Sequence, residues 1–249
     1  NILSSTSFIG RIALSLTLNE LSLGESIDFL NQLGFKKSFT EQFTVLSLTG
    51  GVPWYLELIN PAYPANENIK DLCFTKSGVL VKEFENIFND LFSSRTKIYK
   101  QIVKVLSKTS LTYKQLASVI DYPSGGPLSQ YLDDLILAGF ISLDHSWSIR
   151  TSEFSKHAKY RIKDNYLRFY LRYIGPNLKK IEAETFQVKS LSTLPAWSSI
   201  LGLQFENLVL NNRLLLIKEL GIRLEDIVID NPYYQKSTTL IKGCQIDYL

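Results

Sequence analysis

The chain has 249 residues, 45% of them apolar, and carries 27 Lys and Arg against 24 Asp and Glu, for a net charge of +3. That is enough for one large domain or a few small ones with a real core, and the weakly basic balance permits nucleic-acid binding without demanding it. No apolar run reaches the ~18 residues of a membrane span and no signal-peptide pattern opens the chain; Cys73 and Cys244 lie too far apart for a disulfide framework or a metal-ligand spacing, so a cytoplasmic, reducing setting is expected.

Residues 11–23 alternate polar and apolar in part, as a strand entering a loop does. Helices follow over Gly24–Leu33, with Gly34 as a stop, and over Thr40–Leu48. Gly50-Gly51 then makes a turn and Pro53 opens a new helix that ends before Pro61. Over 77–92, Leu80, Phe84, Ile87 and Leu91 recur at helical spacing, which predicts an amphipathic connecting helix.

Residues 94–163 form the clearest unit. "RTKIYKQIVKVLSK", "TYKQLASVIDY" (Thr112 as cap) and "PLSQYLDDLILAG" read as helices, and "FISLD" and "KYRIK" as strands around a polar loop. This order predicts a winged helix-turn-helix. "DNYLRFYLRYIGPN" predicts an aromatic-rich helix from Asp164 to Tyr173, stopped at Gly175-Pro176. A long helix from about Pro195 to Leu220 ends at Gly221; "EDIVIDNPYY" and "TTLIKGCQIDYL" read as two strands of a hairpin. The absence of methionine and the start at Asn1 suggest a piece of a longer protein.

Several of these stretches resemble, in order, the C-terminal part of the prokaryotic AAA+ ATPases of the archaeal-ATPase type. "GGVPWYLELINP" resembles their helical-lid motif. "YRIKDNYLRFYLRYI" resembles the run after their winged helix, and "LGLQFENLV" and "GCQIDYL" resemble the first two motifs of their PD-(D/E)xK nuclease-like domain. The resemblance implies an α+β, mostly α architecture in four segments: 1–76, the tail of an ATPase core with its helical lid; 77–93, a connecting helix; 94–163, a winged helix-turn-helix; and 164–249, an incomplete α/β nuclease-like domain. It implies ATP and Mg²⁺ as cofactors of the parent protein, DNA as a partner, self-association through the ATPase module, and no membrane. The chain itself has no G-x-x-x-x-G-K-[ST] phosphate loop, so no ATP hydrolysis is expected from it alone. The alternative is a non-catalytic winged-helix DNA-binding or interaction scaffold.

The resemblance marks Glu206 and Asp247 as the helix acid and the first strand acid of a Mg²⁺ site. In nucleases of this type, carboxylates converge on the metal that activates water. The third motif, an acid followed by a lysine, is not in the chain, so half a site is expected. The plainer alternatives are that Glu206 borders the apolar stripe of Leu203, Val209 and Leu210, reaching solvent or pairing with Arg213, and that Asp247 is a solvated strand acid. Asp230 reads as a turn residue before Asn231-Pro232. Gly50, Gly51 and Pro53 fall in the lid motif, where Trp54 replaces a basic residue common in relatives. Arg11 matches a Gly-Arg that can reach a neighbouring subunit's phosphate, or is an ordinary loop arginine.

For DNA, Ser124, Ser129 and Gln130 face out from the third helix of the predicted winged unit, where Asp133 and Asp134 repel phosphates. The cations lie on the first helix (Arg95, Lys97, Lys100, Lys104, Lys108) and around the wing (Lys114, Arg150, Lys156, His157, Lys159, Arg161). Tyr160, Tyr166, Phe169, Tyr170 and Tyr173 read as core rather than as a base-stacking row.

Overall fold

A computed structural model of the chain describes residues 19–92, 95–123, 125–148, 151, 153–235, 237, 239 and 242–248. The predicted first strand and Arg11 lie outside them, as do Ser124 and Arg150 and the side chains of Lys156 and His157. The fold is mostly helical with small antiparallel sheets.

Helix α1 (Leu23–Gln32) starts on a capping box, in which the Ser22 hydroxyl and the Glu25 carboxylate each take the other residue's backbone N–H. Helix α2 (Phe39–Thr49) is capped by Ser38. Gly50 follows at φ 57°, and Gly51 passes so close to Leu21 that a Cβ there would stand 2.1 Å from the Leu21 carbonyl oxygen. The Gly-Gly pair is therefore a packing device: Leu21 N–H donates to the Gly51 carbonyl at 2.8 Å. Helix α3 (Pro53–Glu57) has proline in its first turn, as expected. Helix α4 (Ala65–Cys73) comes next, with Ile69 and Cys73 wholly buried.

In helix α5 (Val79–Phe92) the buried face is Leu80, Val81, Phe84 and Phe88, while Leu91 is exposed. The stripe differs from the expected one at its C-terminal end, because Phe88 stacks on Phe140 across the interface. Helices α6 (Thr96–Leu106), α7 (Tyr113–Val119, with a Thr112–Gln115 capping box) and α8 (Gly126–Leu137) lead into strands β1 (Ile141–Ser148) and β2 (Glu153–Ile162). These pair antiparallel from Ile141↔Ile162 to Ser148↔Glu153, and Leu111 bridges Tyr160 on the outer side.

The next helix does not stop at Gly175-Pro176. Helix α9 (Asn165–Phe169) widens into a π turn over Tyr170–Ile174, tightens to a 3-10 turn over Gly175–Asn177, and continues as α10 (Leu178–Glu182). Pro176 lacks an N–H, and the change of hydrogen-bond pitch lets the chain turn through it without ending. Tyr166, Phe169, Tyr170 and Tyr173 are buried, with the Tyr170 ring stacked on Phe84 at 4.4 Å and Phe169 edge-on to Trp197. They are core.

The expected long helix is two. Helix α11 (Trp197–Asn211) and helix α12 (Arg213–Glu219) meet at Asn212, whose φ of −117° and ψ of 28° break the ladder. Gly221 ends α12 at φ 67°. The two final strands pair antiparallel as expected, but β3 (Tyr233–Gln235) and β4 (Cys244–Ile246) are short. "EDIVID" is a 3-10 turn and loop rather than strand, consistent with Asp230 lying in a turn.

Candidate functional site

Three elements of the chain meet where β2, α9 and α11 cross. Helix α11 turns a polar face to the rest of the protein: Ile200, Gln204 and Asn207 are its buried residues. The Gln204 amide donates to the Ser47 carbonyl at 2.7 Å and to the Asn165 carbonyl at 2.8 Å. Asn207 donates to the Lys163 carbonyl at 2.7 Å and to Asn165 Oδ1 at 2.9 Å, and Asn165 donates onward to the Leu46 carbonyl at 3.1 Å. Asn212 Oδ1 accepts the Leu23 N–H at 2.7 Å, and Asn211 donates to Glu20 at 3.1 Å.

The expected apolar stripe is corrected in part. Leu203 is exposed while Val209 and Leu210 are half-buried, and the buried residues of α11 are Ile200 and the carboxamides Gln204 and Asn207, which satisfy backbone carbonyls. The signal is present in "QFENLVLNN", where Gln204, Asn207, Asn211 and Asn212 fall three, four and one residue apart on adjoining faces.

Arg161 is also corrected. It is not a surface cation of the hairpin: it is buried, and its Nε donates to Asp144 Oδ2 at 2.6 Å across the β1–β2 pair while Nη1 donates to Asn207. Arg168, on α9, is buried beside it and donates from Nη2 to the Ile162 carbonyl at 2.5 Å. Its Nε has no acceptor among the described residues. Burial lowers the Arg168 pKa to about 10, with Arg161 adding to the effect and Glu206 and Asp164 opposing it.

Both arginines line a cleft of about 250 Å³. Leu106, Ser107, Lys108, Thr109 and Ser110 at the end of α6 and in the α6–α7 turn, Lys159 and Ile162 of β2, Leu203 and Glu206 of α11 and Gln245 of β4 supply the rest. Glu206 is half-buried. Burial raises its pKa, the Asp247 charge raises it further, Arg161 and Arg168 lower it, and Asp144 raises it. Glu206 and Asp247, forty-one positions apart (247 − 206), are thus close enough for their charges to interact. Glu206 does not pair with Arg213. Arg213 instead donates to the Asp230 carbonyl at 2.8 Å and lies 3.4 Å from Asp230 Oδ1. Asp247 is exposed and accepts the Gln245 amide at 3.0 Å.

Glu206 and Asp247 are the two carboxylates that a Mg²⁺ ion could draw on, water and substrate oxygens supplying its other ligands; among the described residues no group of three or more His, Cys, Asp and Glu gathers to hold a metal. The cleft's own lining sets Lys108, Lys159, Arg161 and Arg168 against the single acid Glu206. Of the lid-motif residues, Gly51 lies against the Leu21 backbone, Gly50 lies beside Asn165 and Glu20, and Pro53 begins α3 at the surface.

Three of the residues predicted to meet DNA fall elsewhere. Lys114, Ser129 and Gln130 are exposed, on α7 and α8. Gln130 donates to Asp134 at 3.0 Å, and Asp134 also accepts the Tyr99 hydroxyl at 2.5 Å, so this acid faces α6 and not open solvent. Lys100 is held by Glu85 at 2.6 Å, and Arg95 sits over the Tyr131 ring. Lys159 lines the cleft.

No family model matches the chain, and no solved structure matches it. It is similar to the uncharacterized protein MJECL04 of Methanocaldococcus jannaschii, 28% identical over 175 residues, which are 69% of this chain and 38% of that protein. The chain therefore spans well under half the length of this relative.

Proposed function

We propose that the chain is the C-terminal segment of an ATP-binding AAA+ family ATPase acting on nucleic acid in the cytoplasm. In this reading the helices before α5 are the lid, α6 to β2 are a winged helix-turn-helix, and α9 onward is a nuclease-like region. ATP and Mg²⁺ belong to the parent's nucleotide module, which also assembles with other copies. Nucleotide state moves the lid and, through α5, the units that follow.

The observation that carries the nucleic-acid assignment is the cationic cleft at the junction of these units, in which Glu206 feels the charge of Asp247. The helix order of α6–α8 before a β-hairpin supports the winged-helix assignment. Fluorescence anisotropy with duplex DNA tests it: binding at low salt that falls steeply as salt rises is expected, and no binding at low salt sinks the reading. The ATPase assignment is tested by the coding sequence ahead of Asn1, where a phosphate loop and a Walker B strand are expected.

A second reading, a DNA-binding scaffold without chemistry, is favoured by the excess of cations over acids in the cleft. Calorimetry with Mg²⁺ on the parent protein separates the two. Metal binding lost in E206Q and D247N supports the nuclease-like reading; its absence supports the scaffold.

A further inference from the structure

We propose that the cleft between β2, α9, α11 and the α6–α7 turn is a phosphate-binding site, with Arg161, Arg168, Lys108 and Lys159 supplying the charge. The inference stands on the cleft's own groups and holds whether or not the chain belongs to an ATPase. Its cations come from the hairpin, the α6–α7 turn and α9, and so do not depend on Asp247.

The electrostatics of the cleft are one-sided. Two buried guanidinium groups lie near enough for Arg161 to oppose the charge on Arg168. Asp144 answers Arg161 directly at 2.6 Å. Arg168 has no comparable ion pair among the described residues; it has one carbonyl acceptor and a buried Nε without a partner there. Lys108 and Lys159 add two cations to the lining, where Glu206 is the one acid among the described residues. Burying a cation is costly without a counter-charge, and an anion seated here offsets that cost for Arg168 and the Arg161–Arg168 repulsion together.

The chemistry favours phosphate over a carboxylate. The arginines and lysines come from different elements, and Ser107, Thr109 and Ser110 line the same space. A tetrahedral group with several acceptor oxygens can meet donors from all these directions, and a planar carboxylate cannot. The size of the cleft suits a phosphate with part of its sugar. The phosphate can come from a nucleic-acid backbone or from a free phosphate ester, and the shared chemistry is the same.

The experiment is calorimetric titration of the full 249-residue chain with inorganic phosphate at low ionic strength, paired with anisotropy of a labelled single-stranded oligonucleotide. The K108A/K159A double variant leaves the buried arginines in place and should weaken phosphate binding about tenfold or more. E206Q removes the opposing charge and should tighten it severalfold. K36A, in the exposed α1–α2 connection and outside the cleft, should change nothing. Circular dichroism checks that each variant is folded. Displacement of the oligonucleotide by phosphate, with both weakened in K108A/K159A, assigns the site to a strand phosphate. Phosphate binding without an effect on the oligonucleotide assigns it to a free phosphate ester. No phosphate binding by the wild-type chain, or equal effects of K108A/K159A and K36A, overturns the proposal.

Discussion

The chain up to Ile200 and the chain beyond it are held together by different forces. Through the N-terminal region a single core runs from Leu30 to Ile200, built on aromatic contacts such as Phe92 on Tyr99 at 3.9 Å and Phe84 on Tyr170 at 4.4 Å. In the C-terminal region, Phe205, Leu214, Leu220, Leu224 and Val228 are more than half exposed, and the buried apolar side chains among the described residues are Ile217 and Tyr233. Beyond Ile200, α11 is held chiefly by carboxamides on backbone carbonyls. Each such bond contributes only about 1 kcal/mol net but leaves a costly orphan if the geometry slips. The N-terminal region is therefore stable by area and the C-terminal region is positioned by direction, which is what a cleft built across their junction requires.

The largest effect is expected in the apolar region. Phe169 is fully buried, with its ring against Phe74, Tyr173 and Trp197. Phe169→Ala should cost about 3–5 kcal/mol in urea unfolding, from lost transfer energy and the cavity left behind. A cost under about 1 kcal/mol would show that the core is not the continuous body described.

Asp144→Ala probes the junction itself. It leaves Arg161 buried with Asn207 and a carbonyl as partners but no direct ion pair among the described residues, and should cost about 3 kcal/mol. The double variant Asp144→Ala/Arg161→Met should recover much of that loss if the damage is an unpaired charge. If it does not, the pair does more than neutralise.

Most of the helices and both hairpins are legible in the sequence because each carries a local signal. Ser22 with Glu25 and Thr112 with Gln115 mark helix starts, and the order of α6, α7, α8 and the hairpin follows from apolar spacing and turn residues. The π turn at Tyr170 is not legible, since proline after glycine ordinarily ends a helix and only the surrounding core keeps this one going. The cleft is half legible. Glu206 and Asp247 come from resemblance, whereas Arg161 looks like a cation of the wing in the sequence and Arg168 carries no signal of its own. Their burial depends on Asp144, Asn207 and the Ile162 carbonyl, partners that are distant in sequence or come from tertiary pairing.

A pH-dependent effect lies along the same seam. Asp164 caps α9, accepting the Leu167 N–H at 2.5 Å. Burial pushes its carboxyl up to about 7 from an ordinary 3.8; the Leu167 bond opposes this, Glu20 adds to it, and Lys163 and Arg168 oppose it. A folded pKa above the unfolded one means that the folded state holds the extra proton between the two values. The stability from this group is thus full below about pH 4 and is lost as pH rises through about 7. The loss should be about 2–4 kcal/mol over that window. Asp164→Asn keeps a capping oxygen and should flatten the slope in denaturation curves taken across it. An unchanged slope would place the titration on Glu20 or Glu206, whose pKa values are raised in the same direction.

The smallest effect is expected on the exposed face beyond Ile200. Leu214 and Leu220 are each 69% exposed, on α12 and at its end. Removing an exposed leucine gives up little buried area, so Leu214→Ser and Leu220→Ser should each stay within about 0.5 kcal/mol of wild type. That small number is informative only beside the large one for Phe169. If the serine variants instead cost more than about 1 kcal/mol, and the cost grows with protein concentration, copies of the chain cover this face in solution and the contrast between the two regions fails. If they cost nothing and raise solubility, the C-terminal region is held by its carboxamide and guanidinium contacts as described, and the cleft owes its shape to them.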